Sequence, residues 1–344
     1  MVLRLGTQWA DATTLRFGPQ WQSAAVPIVL VTDIDAGNVS QSATVITGAD
    51  TAEPVIDIEH RPDAGDWRHL HFAVENAEGK RPIFRAKRTT RYSNATTPPI
   101  EFRLLWTQDF ITWTRAPSRT LTGGTTGTID WQFTDPLPAG RVYIATQPLG
   151  RQSDAVALTT RLLTDYPSVV TPTASADAGG VYFTSPAEND GTGRPCGGHP
   201  LYALDLKFGG STTDGQPKRK LVIISGIHAA GEQTCWIPFV RFLDFVLDSA
   251  DAAAVALRAN WDLSLYYNIT PNGIYSGDNR TNPSRHDDPN RILDDPNVEI
   301  AATVAAIIAD LAGGRFDAFF SWHGWGSHTN PFLMYLSPSQ YNAG

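Results

Sequence analysis

The sequence changes texture once, near Pro167, and that change limits the fold more than any single motif. Before it, short runs at 27–32, 43–47, 69–74, 100–106, 128–133 and 141–145 alternate apolar and polar residues between clusters of Gly, Pro, Asn and Asp. A period of two sends side chains to opposite faces of a strand, so these runs predict an antiparallel β-sandwich over residues 1–166, closed or linked by a helix at 153–165. After a turn-rich passage at 167–200 the units lengthen: strands at 201–208, 221–225, 261–267 and 316–321, helices at about 235–259 and 298–312. Strands alternating with long helices predict an α/β/α domain with a mixed, largely parallel sheet over 167–344. With 344 residues, 42% of them hydrophobic, the chain can bury a core in each domain.

Composition narrows the partners. No window approaches the roughly 18–20 apolar residues that span a bilayer, and the first residues lack the charged-then-apolar pattern of a secretory leader. A cytoplasmic protein with no membrane partner is expected. The net charge of −8 and the absence of a long basic run argue against nucleic acid. Cys196 and Cys235 are the only cysteines, too few for a disulfide scaffold and without the spacing of a metal knuckle. Nothing in the sequence sets an oligomeric state.

The chemistry concentrates at strand ends. Residues 221–236, LVIISGIHAAGEQTCW, run an apolar strand into His228 and Glu232 where a helix should begin. In an open α/β sheet the rim at the strands' carboxyl ends is where ligands bind. Residues 316–321, FDAFFS, form another such strand and deliver His323. Two His and one carboxylate are the protein ligands of a catalytic zinc site, with water in the fourth position. The plainer reading is a surface His beside a Glu that caps the helix. Between these strands, residues 261–293 read WDLSLYYNITPNGIYSGDNRTNPSRHDDPNRIL: a strand, then a long loop in which Arg280, Arg285 and Arg291 interleave with Asn268, Asn272, Asn279, Asn282 and Asn290. Long loops inside a compact domain are usually functional, and planar guanidinium groups suit a bound carboxylate. The alternative is a solvated loop whose arginines pair with Asp287, Asp288, Asp294 and Asp295.

The order of these pieces resembles the zinc carboxypeptidase family: strand, His-Pro-Gly-Glu-like turn, strand, Asn-Pro-Asp-Gly-like turn, a lone Arg, an Asp-x-Asn-Arg run, then strand and His. Within it the likeness is to the cytosolic carboxypeptidase branch, whose members carry an N-terminal β-sandwich; HLHFAVENAEGKRPIFRA at 69–86, WTQDFITWTR at 106–115 and RVYIATQPLGRQSDAVAL at 141–158 have that flavour. The resemblance implies that His228, Glu232 and His323 hold Zn2+ and that Arg280 polarises the scissile carbonyl. It also implies that Asn290 and Arg291 grip the terminal carboxylate of a peptide or protein substrate. Two other classes stay open: a zinc-dependent amidase or deacylase of small substrates, and a non-catalytic module that binds protein C-termini.

The chain departs from the family pattern in three places. His228 and Glu232 enclose three residues where the family has two, an inserted Ala in a loop able to absorb it. The spacing from Arg280 to Asp288 is one residue longer, with Pro289 in place of the usual Leu. Finally, residues 324–344 contain neither Glu nor Asp, so the family's general-base Glu has no counterpart after His323. The expectation is a catalytic domain incomplete at its C-terminus.

Overall fold

A computed structural model of the chain describes residues 27–40, 44–59, 70–87, 104–122, 127–190, 192–228, 235–277 and 316–323. Among them the alternating runs of the first half build two five-stranded sheets. One runs β1 (Val29–Val31), β4 (His71–Glu75), β10 (Val142–Ala145), β6 (Leu105–Thr107), β7 (Thr114–Arg115), each neighbouring pair antiparallel. The other runs β2 (Val45–Thr47), β3 (Val55–Ile58), β5 (Ile83–Lys87), β9 (Thr128–Gln132), β8 (Ser118–Thr122). Here the expectation of antiparallel pairing needs correction, because β3 and β5 run parallel. Between them the chain crosses to the other sheet as β4 and returns, so two strands adjacent in space point the same way. Phe72, Val74 and Ile144 of the first sheet meet Ile56, Phe84 and Trp131 of the second in one buried cluster, each large side chain contributing about 1.5–3 kcal/mol of apolar burial.

The second half is organised around a six-stranded sheet in the order β11 (Val170–Pro172), β13 (Pro200–Leu206), β15 (Trp261–Tyr267), β14 (Arg219–Ser225), β16 (Ala318–Trp322), with β12 (Val181–Thr184) also paired to β13. β15, β14 and β16 are parallel, whereas β13 runs against β15, and β11 and β12 run against β13. The sheet is mixed as expected, but among the described residues it is parallel only on the side that carries the two His. Alternate residues feed two clusters: Leu204, Ile223 and Leu265 join one, Ala203, Val222, Ile224 and Tyr266 the other. A strand buried on both faces reads as a continuous apolar run, as Leu221–Ile224 does.

Helices cover the first of these faces. α1 (Gln152–Asp165) buries Ala155, Leu158, Thr159 and Leu162, residues three and four apart on one stripe, against Phe239 and Leu243 of α2 (Trp236–Asp248) and Tyr267 of β15. Buried between them, Thr159 Oγ1 and the Tyr267 hydroxyl hydrogen-bond at 2.5 Å. The single helix expected over about 235–259 is two, α2 and α3 (Ala252–Asn260). Ser249 is extended and the Asp251 side chain accepts Ala253 N–H, so the N-cap preference of Asp overrides the helix propensity of the alanines beside it. Arg258 then closes the gap by donating to the carbonyls of Val246 and Ser249. The helix expected at 298–312 lies outside the described residues. Among the described residues, no helix is long and apolar enough to cross a membrane.

Candidate metal centre

β14 and β16 are parallel neighbours in register, with Ser225 opposite Trp322. Each strand therefore delivers its His just beyond the same rung: His323 directly after Trp322, His228 after a two-residue turn through Gly226 and Ile227. The imidazoles stand edge to face, ring centres 4.9 Å apart. Two imidazoles bound to one tetrahedral zinc, with Zn–N about 2.0–2.1 Å, have centres roughly 5 Å apart, so the pair suits a shared ion. His228 is buried and His323 half-buried. No group of three His, Cys, Asp or Glu able to hold a metal occurs among the described residues; the third expected ligand, Glu232, lies outside them.

The turn that carries His228 rests on the chain leaving β15. Ile269 N–H donates to Ser225 carbonyl at 3.3 Å and Thr270 N–H to Gly226 carbonyl at 3.0 Å, which ties the two segments together past the strand ends. The Thr270 hydroxyl donates to the Ile227 carbonyl. Gly226 has φ +76°, and a Cβ there would lie 3.1 Å from Asn268 Cα and 3.2 Å from its nitrogen, so only glycine fits without movement. On the other side, Trp322 packs on Phe239 and Phe242 of α2, and its indole N–H bonds the Cys235 carbonyl.

Asn268 and Asn272, grouped in the sequence with the arginines of a long loop, are structural. Asn268, in the left-handed region at φ 61°, donates to the Gln152 side chain and to the Pro200 carbonyl. Asn272 sits in α4 (Pro271–Ser276), where a loop was expected; it accepts from Ser185 and donates to Glu188 Oε1 at 2.8 Å. α4 ends at Gly277 in the left-handed conformation, three residues before Arg280. Arg280, Asn290 and Arg291 lie outside the described residues.

The N-terminal sheets reach this region through the segment after β1. Asp35 Oδ1 and Oδ2 accept the Gln152 and Ser153 N–H groups at 3.1 and 2.7 Å, capping α1 together with the Asp154 carboxylate, which accepts the Arg151 N–H at 2.9 Å. Ala36 N–H donates to the Tyr275 carbonyl at 2.7 Å, and Gly277 lies so close to Ala36 that a Cβ would meet its carbonyl oxygen at 2.5 Å. Arg194 completes the junction, donating to the carbonyls of Thr32 and Tyr275 at 3.1 and 2.8 Å with Asp33 at 3.4 Å. His199 packs against Tyr275 at 4.1 Å; burial, then the Arg194 charge, holds it below the usual imidazole range. Sequence reasoning missed Asp35, Gln152 and Thr270, whose partners are distant in the chain; the one local signal was the Thr-Pro-Asn-Gly run itself.

Solved structures share this architecture. A metallo-carboxypeptidase from Burkholderia cenocepacia superimposes with a TM-score of 0.62 at 21% identity, over 88% of this chain and 71% of that one. A metallo-carboxypeptidase from Pseudomonas aeruginosa, in complex with (2-guanidinoethylmercapto)succinic acid, gives 0.61 at 22%, over 86% and 70%. No family profile and no curated protein sequence matches the chain. The fold is thus one found in metallo-carboxypeptidases, with the two His at the carboxyl ends of its parallel strands.

Proposed function

We propose that this protein is a zinc-dependent metallocarboxypeptidase of the cytosolic carboxypeptidase-like branch, acting in the cytoplasm on peptide or protein C-termini. In this reading residues 1–166 form a β-sandwich domain and residues 167–344 the catalytic domain, which meet through α1 and the segment after β1. The observation that carries the proposal is the pairing of His228 with His323 at 4.9 Å on adjacent parallel strands. With Glu232 they would hold the zinc, which when bound supplies Lewis acidity and lowers the pKa of water. Arg280 meets the charge that develops on the scissile carbonyl oxygen. Asn290 and Arg291 hold the substrate's terminal carboxylate through charge-assisted hydrogen bonds, which confines binding to chain ends. An amidase or deacylase would use the same ligands without that confinement.

The metal assignment is tested by elemental analysis of the purified protein. One zinc per chain is expected, with large loss in His228→Ala, Glu232→Ala and His323→Ala. Full occupancy in all three variants would overturn it.

A further inference from the structure

We infer that Thr270 and Asn268 are positioning residues for His228, holding the turn 226–228 at the distance from His323 that one metal ion requires. The inference rests on the zinc reading of the two His. It starts from what, among the described residues, ties that turn to the chain leaving β15. Beyond the last rung of β14, the chain no longer has a strand's regular ladder, and Gly226 with its positive φ is the kind of joint that swings freely unless something holds it. What holds it is three hydrogen bonds from two consecutive residues after β15. Ile269 takes the Ser225 carbonyl, Thr270 N–H takes the Gly226 carbonyl, and the Thr270 hydroxyl takes the Ile227 carbonyl.

Every one of these bonds lands on a residue within three positions of His228. Thr270 is fully buried and β-branched, so its hydroxyl has few rotamers in which to wander. Asn268 presents the run correctly by adopting the left-handed conformation, which Asn tolerates better than most residues. Its carboxamide is locked by the Gln152 side chain and the Pro200 carbonyl, and Gln152 stands at the N-terminus of α1 that Asp35 caps. His323 follows β16 without a turn. On the His228 side the separation of the two rings is therefore set by residues outside the proposed ligand and substrate groups.

The test compares Thr270→Val, which keeps the shape and removes the hydroxyl, with Thr270→Ser, which restores it. Zinc dissociation constants are measured by competition with a chromogenic chelator, and the cobalt-substituted proteins are compared by visible absorption. Groups that orient metal ligands typically affect affinity about 10- to 100-fold, so Thr270→Val is expected to bind zinc about tenfold or more weakly, with an altered cobalt spectrum. Thr270→Ser is expected to stay within about twofold of the parent. Asn268→Gly, which permits the same backbone conformation without the carboxamide, should weaken zinc in the same direction and serves if Thr270→Val does not fold. A purely structural role would lower the melting temperature of the metal-free variants and leave zinc affinity and the cobalt spectrum at the parent values. That result, with the parent binding zinc and His228→Ala losing it, overturns this inference alone. Absence of zinc binding by the parent overturns both the inference and the zinc reading.

Discussion

The indole N–H of Trp322 donates to the carbonyl of Cys235 at 3.1 Å, tying the strand end that delivers His323 to the start of α2. The bond spans the two segments whose separation the proposed metal site must hold constant, since Glu232 precedes Cys235 by three residues. Trp322→Phe removes the bond and part of the packing on Phe239 and Phe242, and is expected to cost about 1–2 kcal/mol in chemical denaturation. Zinc affinity should fall with it. Unchanged stability and affinity would show that the contact is incidental.

Gly226 offers a sharper contrast. An alanine there must adopt φ near +76° and press its Cβ against Asn268 backbone at 3.1 Å, a combined cost of about 1–3 kcal/mol. Gly79 also has a positive φ, of 72°, but open space where its Cβ would go, so Gly79→Ala should cost about 1 kcal/mol from backbone strain alone. Melting curves of the two variants, with and without zinc, should show the larger loss for Gly226→Ala and a reduced zinc-dependent gain only there.

Asp35 should make the capping of α1 pH-dependent. Burial raises its carboxyl above the ordinary carboxylate range, against the hydrogen bonds from Ser153 and Gln152 and the charge of Arg151, which lower it. A carboxyl raised on folding binds its proton more tightly in the native state, so its contribution is full below the unfolded-state pKa and is lost as pH rises through the folded one. Asp35→Asn removes that titration. The stability difference between parent and variant should favour the parent most near pH 4 and shrink toward pH 7 in urea titrations. A difference that is constant with pH would contradict the assignment.

Recognition of a terminal carboxylate separates the proposed peptidase from an amidase. A charge-assisted pair is worth about 1.5–3 kcal/mol, so a peptide should bind on the order of ten- to a hundredfold more tightly than its C-terminal amide, and Arg291→Ala should abolish the preference. Calorimetry with the two peptides measures it, and equal affinities would remove Asn290 and Arg291 from the role.

Local patterning placed part of the strands and helices in sequence. Alternation marked β1, β4, β9 and β10, the apolar runs marked β14, β15 and β16, and the three- and four-residue stripe marked α2, because each pattern reports which side of one element meets the core. His228 and His323 were legible as strand-end residues for the same reason. The parallel pairing of β3 with β5 and the reversed direction of β13 were not, since strand direction depends on which strand lies alongside rather than on the residues of one strand. The break between α2 and α3 was written locally in Asp251, yet it competed with a run of alanines, and the winner was settled by Arg258 reaching back to Val246 and Ser249. The roles of Asn268 and Thr270 belonged wholly to the tertiary structure. A carboxamide or hydroxyl in the sequence has bonding capacity but no address, and only the packing of β15 against β14 brings Thr270 to the carbonyl beside His228. Likewise, the sequence determined which imidazoles could meet; the register of β14 on β16 decided that they do.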